Sequence, residues 1–137
     1  MAPSSPLRLV EPVETSGDVY VEYGRYVAGL AYRLLGRDGD VDDVVQDVFL
    51  AALTGLSRLR DRGAIKGWLA STTVNVASRR LRRRRLLSVL GFDGSSDTEV
   101  EAPGASAEER VMLAQVYEAL DEQPVNERVA WVLRHVE

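Results

Sequence analysis

The stretch from Val13 to Ala102 contains no proline, and this feature limits most strongly what the chain can fold into. Proline interrupts helices because it lacks a backbone N–H and clashes with the preceding turn, so its absence permits long helices. Apolar residues in this stretch recur every three or four positions, and the strict alternation typical of strands is missing. The sequence therefore predicts an all-α fold.

Turn-forming residues divide the stretch into three segments, which predict helices at residues 18–35, 40–59 and 64–90. Gly36 and Gly91 are suited to end the first and third helices. Asp40 is a favoured N-cap residue, and Asp42 and Asp43 then lie at the positive end of the second helix dipole. We expect a compact domain of three to four helices over residues 18–91.

The remaining segments predict a tail, a linker and the start of a second domain. Residues 1–17 are rich in Pro, Ser and Glu and are expected to form a flexible tail, and residues 92–106 form an acidic linker. Residues 107–137 predict two short helices, opened by a capping box at Ser106 and separated at Pro124. The helical pattern is still running at Glu137, so we expect an incomplete domain here.

Composition excludes most catalytic and metal chemistry. The chain has no cysteine and one histidine, His135, so thiol nucleophiles and histidine clusters are excluded. The aspartates of residues 38–47 lack the ligand spacing of an EF-hand. We therefore expect no enzymatic activity, no cofactor and no metal. Because no apolar run approaches the ~18 residues of a membrane span and no signal peptide opens the chain, a cytoplasmic location without a membrane partner is expected.

The polar side of the second helix carries a leucine among carboxylates and amides. At 100° per residue, a stripe about 60° wide holds most of these side chains, with Gln46 alongside. We call this group the acidic stripe: Asp43, Gln46, Asp47, Leu50 and Thr54. An apolar side chain with a charged rim is typical of a protein-binding surface. The alternative is a solvated helix face with one stray leucine, which is common on soluble proteins.

The third helix ends in an arginine tract, with six arginines among residues 79–85, although the whole chain has a net charge of −4. Steps of four, three and four place Ser71, Asn75, Ser78 and Arg82 on one side of this helix. Asparagine can bond to a base edge and arginine neutralises phosphate, so we expect an anionic partner, with nucleic acid ahead of acidic lipid. The alternative is a solvated basic helix end. We call the basic face Ser71, Asn75, Ser78, Arg79, Arg82, Arg83 and Arg85.

These two stretches together resemble the extracytoplasmic-function (ECF) group of bacterial sigma factors. The resemblance covers roughly residues 20–90 and rests on three segments: Ala31–Gly36, Asp42–Leu50, and Gly67-Trp68-Leu69 followed by Asn75-Val76-Ala77 and the arginine tract. A weaker likeness at Leu120–Arg128 is to the opening of the family's second, helix-turn-helix domain. The recognition helix of that domain would lie beyond Glu137.

The resemblance implies a function for each surface. In the family, the helix matching residues 42–50 docks on the clamp coiled coil of the RNA polymerase β′ subunit, and the following loop and helix recognise the promoter minus-ten element. The loop carrying Arg60, Arg62 and Lys66 matches the segment that captures a base flipped out of the non-template strand. Asn75 matches a residue that faces DNA, and the arginine tract would hold phosphates. The family also implies an anti-sigma factor as a further partner.

The sequence thus predicts a sigma factor that binds core RNA polymerase and helps to melt the minus-ten element. Two other interpretations remain open at this point. A helical adaptor or anti-sigma-type decoy would use the acidic stripe without recognising DNA. A general arginine-rich RNA-binding module would use the tract without preferring the minus-ten strand.

Overall fold

The structure, a computed structural model, describes residues 16–36, 39–92 and 104–135, which form five α-helices and no strand. The helices are α1 (Ser16–Leu35), α2 (Val41–Gly55), α3 (Ile65–Val89), α4 (Ala107–Asp121) and α5 (Val125–His135). Two single-turn 3-10 helices, Leu56–Arg58 and Arg62–Ala64, connect α2 to α3. The predicted all-α fold is confirmed.

Most helices begin and end within two residues of the positions predicted from the sequence. The bounds of α1 and α3 lie within two residues of those predicted, and α1 takes in Ser16 and Gly17, which we expected in the tail. The second helix ends at Gly55, four residues earlier than predicted, and its last turn tightens into the first 3-10 helix. The rest of the expected tail, residues 1–15, and residues 93–103 of the expected linker lie outside the described residues.

Helices α1, α2 and α3 pack against one another around an apolar core. The residues in this core include Val27, Leu30, Leu34, Val44, Val48 and Leu69, all at most 2% exposed. Burial of such side chains is the main favourable term in folding, at roughly 1.5–3 kcal/mol for each large aliphatic residue. The core fixes the rotation of α2 and α3 about their axes, and so decides which side of each helix faces solvent.

Close contact between α2 and α3 requires a glycine at the end of α2. The ring of Trp68 lies so near Gly55 that a Cβ added there would stand 2.2 Å from Cζ2 of the ring. Trp68 is partly buried and packs against the core, as its position beside Ile65 and Leu69 predicts. Its ring is therefore part of the packing that holds the start of α3 against α2.

Asp40 precedes α2 at the N-cap position, but its carboxylate does not cap the helix. It pairs instead with Arg84 at 2.9 Å and with Arg80 at 3.5 Å. Arg84 also donates to the backbone carbonyl of Leu35 at the end of α1. Two arginines of the tract therefore join α3 to the α1–α2 connection, which the sequence pattern did not indicate.

The last two helices and the short turn between them form what we call the α4–α5 hairpin, Ser106–His135, which packs against α1 and α3 mainly through α5. Ser106 caps α4 by accepting a hydrogen bond from the N–H of Glu109 at 3.2 Å, as the capping box predicts. Val125, Val129 and Val132 of α5 are buried in the common core. Residues 104–106 of the expected linker lie at the start of this hairpin.

Candidate binding surfaces

The acidic stripe lies on the solvent side of α2, opposite the buried valines. All five of its residues are exposed, and Leu50 keeps 55% of its surface accessible. Placing a leucine in water gives up stabilisation that burial would supply, so an exposed leucine inside a ring of polar groups is suited to burial against a partner. The structure brings together every residue that the sequence placed in this stripe.

Two residues of the acidic stripe already have contacts within the chain. The carboxylate of Asp43 lies 3.5 Å from Arg80 of α3, and the Thr54 hydroxyl donates to the carbonyl of Ala51 at 3.4 Å. These contacts place Asp43 and Thr54 at the edges of the surface, while Gln46, Asp47 and Leu50 form its exposed centre.

The apolar part of this surface is larger than the sequence pattern indicated. Leu53, three residues after Leu50, is 59% exposed, and Tyr20 of α1 is 54% exposed. The Tyr20 ring packs edge-on against Phe49 with its centroid 5.0 Å away. Leu53 could have been assigned to this surface from the sequence, because it lies one helical turn from Leu50. Tyr20 could not, because its position depends on how α1 packs against α2.

The basic face is exposed along α3 with one exception. Ser71, Asn75, Arg79, Arg82, Arg83 and Arg85 are exposed, but Ser78 keeps only 7% of its surface accessible. The expectation that Ser78 shares the open face with Asn75 is wrong, because α5 packs over this part of α3. The pattern within a helix gives the side on which a residue lies, but it does not show which later segment covers that side.

A cleft of about 620 Å³ lies between α3 and α5. Its α3 wall includes Asn75, Arg79 and Arg82, and its α5 wall adds Asn126 and the apolar residues Val129, Ala130 and Leu133. Two hydrogen bonds cross from α3 to the hairpin. Arg82 donates to the side-chain oxygen of Asn126 at 2.8 Å, and Arg85 donates to the carbonyl of Gln123 at 2.6 Å.

The loop before α3 exposes Arg60 and Arg62, and the first turn of α3 exposes Lys66. Asp61 shapes the loop by accepting a hydrogen bond from the N–H of Gly63 at 2.9 Å. The Lys66 ammonium lies 4.7 Å from the centroid of the Tyr26 ring, a cation–π contact that holds it against α1. Lys66 and Arg82 are separated by about 24 Å along α3, so the loop and the arginine tract lie at opposite ends of this helix.

The two surfaces meet along a groove of about 350 Å³ between α2 and α3. Asp47 of the acidic stripe lines one side of the groove, and Arg79, Arg80 and Arg83 line the other. The described ranges contain no group of three histidine or carboxylate side chains that could hold a metal ion. No helix within them is both long enough and apolar enough to span a bilayer.

Helix α2 thus carries an apolar–acidic surface, and the next helix, α3, carries a cationic one. Residues 19–86 match the family model described as Sigma-70 region 2, so this part of the chain is similar to that family. The match covers α1, α2 and most of α3, and so includes both surfaces.

A curated relative agrees with the family match. Over 108 residues the chain is 27% identical to the RNA polymerase sigma factor SigV of Bacillus subtilis, an alignment that covers 79% of this chain and 62% of SigV. The chain thus spans less than two thirds of that relative's length. No solved structure matches the chain significantly. The two matches confirm the resemblance to an ECF-type sigma factor.

Proposed function

We propose that this chain is the part of a transcription initiation factor that binds core RNA polymerase through the acidic stripe and the promoter minus-ten strand through the basic face. The observation that carries the proposal is the arrangement of α2 and α3. Leu50 is exposed within a polar rim on α2, and the adjoining helix presents Asn75 and the outer arginines of the tract. On this proposal the chain has no catalytic role, and the reaction belongs to the polymerase.

The acidic stripe is suited to a helical, cationic partner such as the clamp coiled coil of the β′ subunit. Leu50, with Leu53 beside it, supplies apolar area, and Gln46 and Asp47 supply hydrogen-bond acceptors next to it. Apolar anchors surrounded by polar groups account for most of the binding energy in protein interfaces. Charge complementarity at the rim mainly raises the association rate and the specificity.

The basic face and the loop before α3 are suited to an unwound DNA strand. Melting removes base stacking, and the cost is offset in part when cationic side chains hold the displaced strand and a site accepts an extruded base. The outer arginines Arg79, Arg82, Arg83 and Arg85 would contact phosphates, with Ser71 beside Asn75 facing the bases. Arg60, Arg62 and Lys66 would lie at the loop that receives the extruded base.

The partners and the setting of this function are part of the same proposal. An anti-sigma factor is expected as a regulatory partner, and the chain would act in the cytoplasm, where the polymerase is found. Residues 18–91 would form the polymerase- and promoter-binding domain, and residues 107–137 would begin the helix-turn-helix domain.

Polymerase docking is tested by reversing one charge and removing the apolar anchor. Asp47→Arg with Leu50→Ala should lower affinity for the isolated β′ coiled coil by at least about tenfold, since anchor residues are commonly worth more than 1 kcal/mol. Glu118→Arg with Met112→Ala makes the same kind of change on exposed positions of α4 and serves as the control. Unchanged capture of the coiled coil by the Asp47/Leu50 variant would refute the docking surface.

DNA binding is tested by salt titration with a single-stranded minus-ten oligonucleotide. About four phosphate contacts predict a slope near −3 in the logarithm of the binding constant against the logarithm of the salt concentration. Charge reversal of Arg82, Arg83 and Arg85 should weaken binding and make this slope much shallower. A flat titration of the unmodified chain would support the decoy interpretation, and equal affinity for an RNA of the same sequence would support the RNA-binding interpretation.

A further inference from the structure

Besides the buried valines of α5, one buried arginine joins the α4–α5 hairpin to the body of the protein. Arg128 of α5 is only 3% exposed, and its guanidinium donates to the carbonyls of Leu34 at 3.0 Å and Leu35 at 2.9 Å. These are terminal carbonyls of α1, which have no partner within their own helix. Arg128 also pairs with Asp121 of α4, so it connects both helices of the hairpin to α1.

A second contact positions the hairpin beside the same helix end. The Tyr117 hydroxyl donates to the carbonyl of Arg33 at 2.8 Å, and the Tyr117 ring lies against Gly36. A Cβ at Gly36 would stand 2.5 Å from this ring, and the backbone there has φ +73, a conformation that glycine adopts readily. The end of α1 is thus shaped to accept Tyr117 and Arg128 together.

The docked hairpin occupies part of the basic face. It covers Ser78, lies against Asn75 and Arg79 across the cleft, and accepts hydrogen bonds from Arg82 and Arg85. The Arg82 and Arg85 donors that would contact phosphates are therefore turned to Asn126 and Gln123. A strand following α3 past Asn75 would meet α5 in its path.

We propose that the α4–α5 hairpin is an intramolecular latch that covers part of the basic face of α3 and must leave it before DNA binds, with Arg128 as its anchor. The inference rests on the proposed DNA-binding function. Latch closure and strand binding compete for the same side chains, so each lowers the apparent affinity of the other. Only the open fraction of the protein binds the strand, and the apparent affinity falls in proportion to it.

Release of the anchor tests the latch without altering the DNA surface. In the full chain, Arg128→Ala removes the Arg128 donor from the Leu34 carbonyl in the closed arrangement and leaves the Leu35 carbonyl with its bond from Arg84 alone. Water can reach both carbonyls in the open arrangement. We expect Arg128→Ala to bind the minus-ten strand about tenfold more tightly. This is the change expected if the open fraction of the protein is roughly one tenth in the unmodified chain and approaches one in the variant. Arg134→Ala removes the same charge from an exposed position of α5 and should leave the affinity unchanged or slightly lower.

A measurement on the unmodified chain gives an answer even if Arg128→Ala fails to fold. Saturating minus-ten strand should increase amide hydrogen exchange in residues 117–132, because binding displaces the hairpin. Slower exchange there, or equal strand affinity of the Arg128→Ala and unmodified chains, would overturn the latch while leaving DNA binding in place. Absence of strand binding by every variant would overturn both proposals.

Discussion

Asn75 is the exposed carboxamide at the middle of the basic face, and it lines the cleft between α3 and α5. A carboxamide can donate to and accept from a base edge, whereas an arginine on a phosphate carries no sequence information. Asn75→Ala should therefore lower the preference for a cognate over a scrambled minus-ten strand by about tenfold, with a smaller loss of affinity for the scrambled strand. Equal losses on both strands, measured in parallel titrations, would remove Asn75 from base recognition.

Ionisation of the Tyr117 hydroxyl is expected to make the free energy of unfolding vary with pH in the alkaline range. Burial raises the pKa of the Tyr117 hydroxyl above its ordinary value, and the Arg128 cation opposes this in part. Below about pH 10 the hydroxyl is protonated in both the folded and unfolded states, so its contribution is fully present. As the pH rises further, the unfolded state loses this proton first, and the contribution is lost as the pH passes through the raised pKa.

Urea unfolding of the full chain at a series of pH values checks this expectation. The free energy of unfolding should fall more steeply above about pH 10 in the unmodified chain than in Tyr117→Phe, which has no ionisable group at this position. The difference between the two curves isolates Tyr117 from the other tyrosines and from Lys66. Parallel curves over this range would show that the Tyr117 hydroxyl titrates alike in both states.

The exposure of single residues was largely predictable from the sequence, because helix periodicity fixes the side on which each residue lies. Leu50 and Asn75 are exposed as expected, since the valines and leucines of α2 and α3 fix the opposite sides in the core. Ser78 lies on the expected side, but a segment more than forty residues later in the chain covers it. Burial of this kind depends on tertiary packing, which periodicity does not contain.

At the scale of elements, the arginine tract has two roles that alternate along α3. Arg80 and Arg84 turn inward to Asp40, whereas Arg79, Arg82, Arg83 and Arg85 are exposed. Residues four apart lie on the same side of a helix, so the inward pair follows the helix period. The sequence showed the density of charge but not this division, because the division depends on the position of Asp40 at the start of α2.

Removal of the Asp40 carboxylate should loosen the junction of α1, α2 and α3. Asp40→Ala leaves Arg84 and Arg80 without their shared acceptor. Because these side chains are between one fifth and one third exposed, we expect the free energy of unfolding to fall by about 1 kcal/mol. Asp42→Ala removes the same charge from an exposed position in the first turn of α2 and is the matched control. Equal urea midpoints for the two variants would contradict a structural role for the Asp40 pairs.

Helix ends were predictable where the signal is local. Ser106 caps α4 as its capping box indicates, and Gly36 and Gly91 end their helices with positive φ angles of 73° and 86°. Asp40 also stands at a helix start, but Arg84, 44 positions later, takes its carboxylate. A local rule predicted the start of α2 correctly, but it missed that the carboxylate of Asp40 pairs with Arg84.

At the scale of the whole molecule, one small core supports two surfaces of opposite charge on adjacent helices. The sequence predicted both surfaces, because apolar stripes and charge runs are visible in it. It did not predict that the hairpin returns to cover part of the basic face. That contact depends on Arg128 and Tyr117 meeting the carbonyls of α1, and the sequence pattern gave these residues no such partners.

Parallel binding measurements on two variants test most directly whether the surfaces act separately. Gln46→Ala with Leu50→Ala should lower affinity for the β′ coiled coil by at least about tenfold and leave minus-ten strand affinity within about twofold, because neither residue is charged. Arg79→Gln with Arg83→Gln should show the reverse pattern, with a weaker salt dependence of strand binding. If each variant lost both partners equally, or if the first kept full affinity for the coiled coil, two separate surfaces would be contradicted.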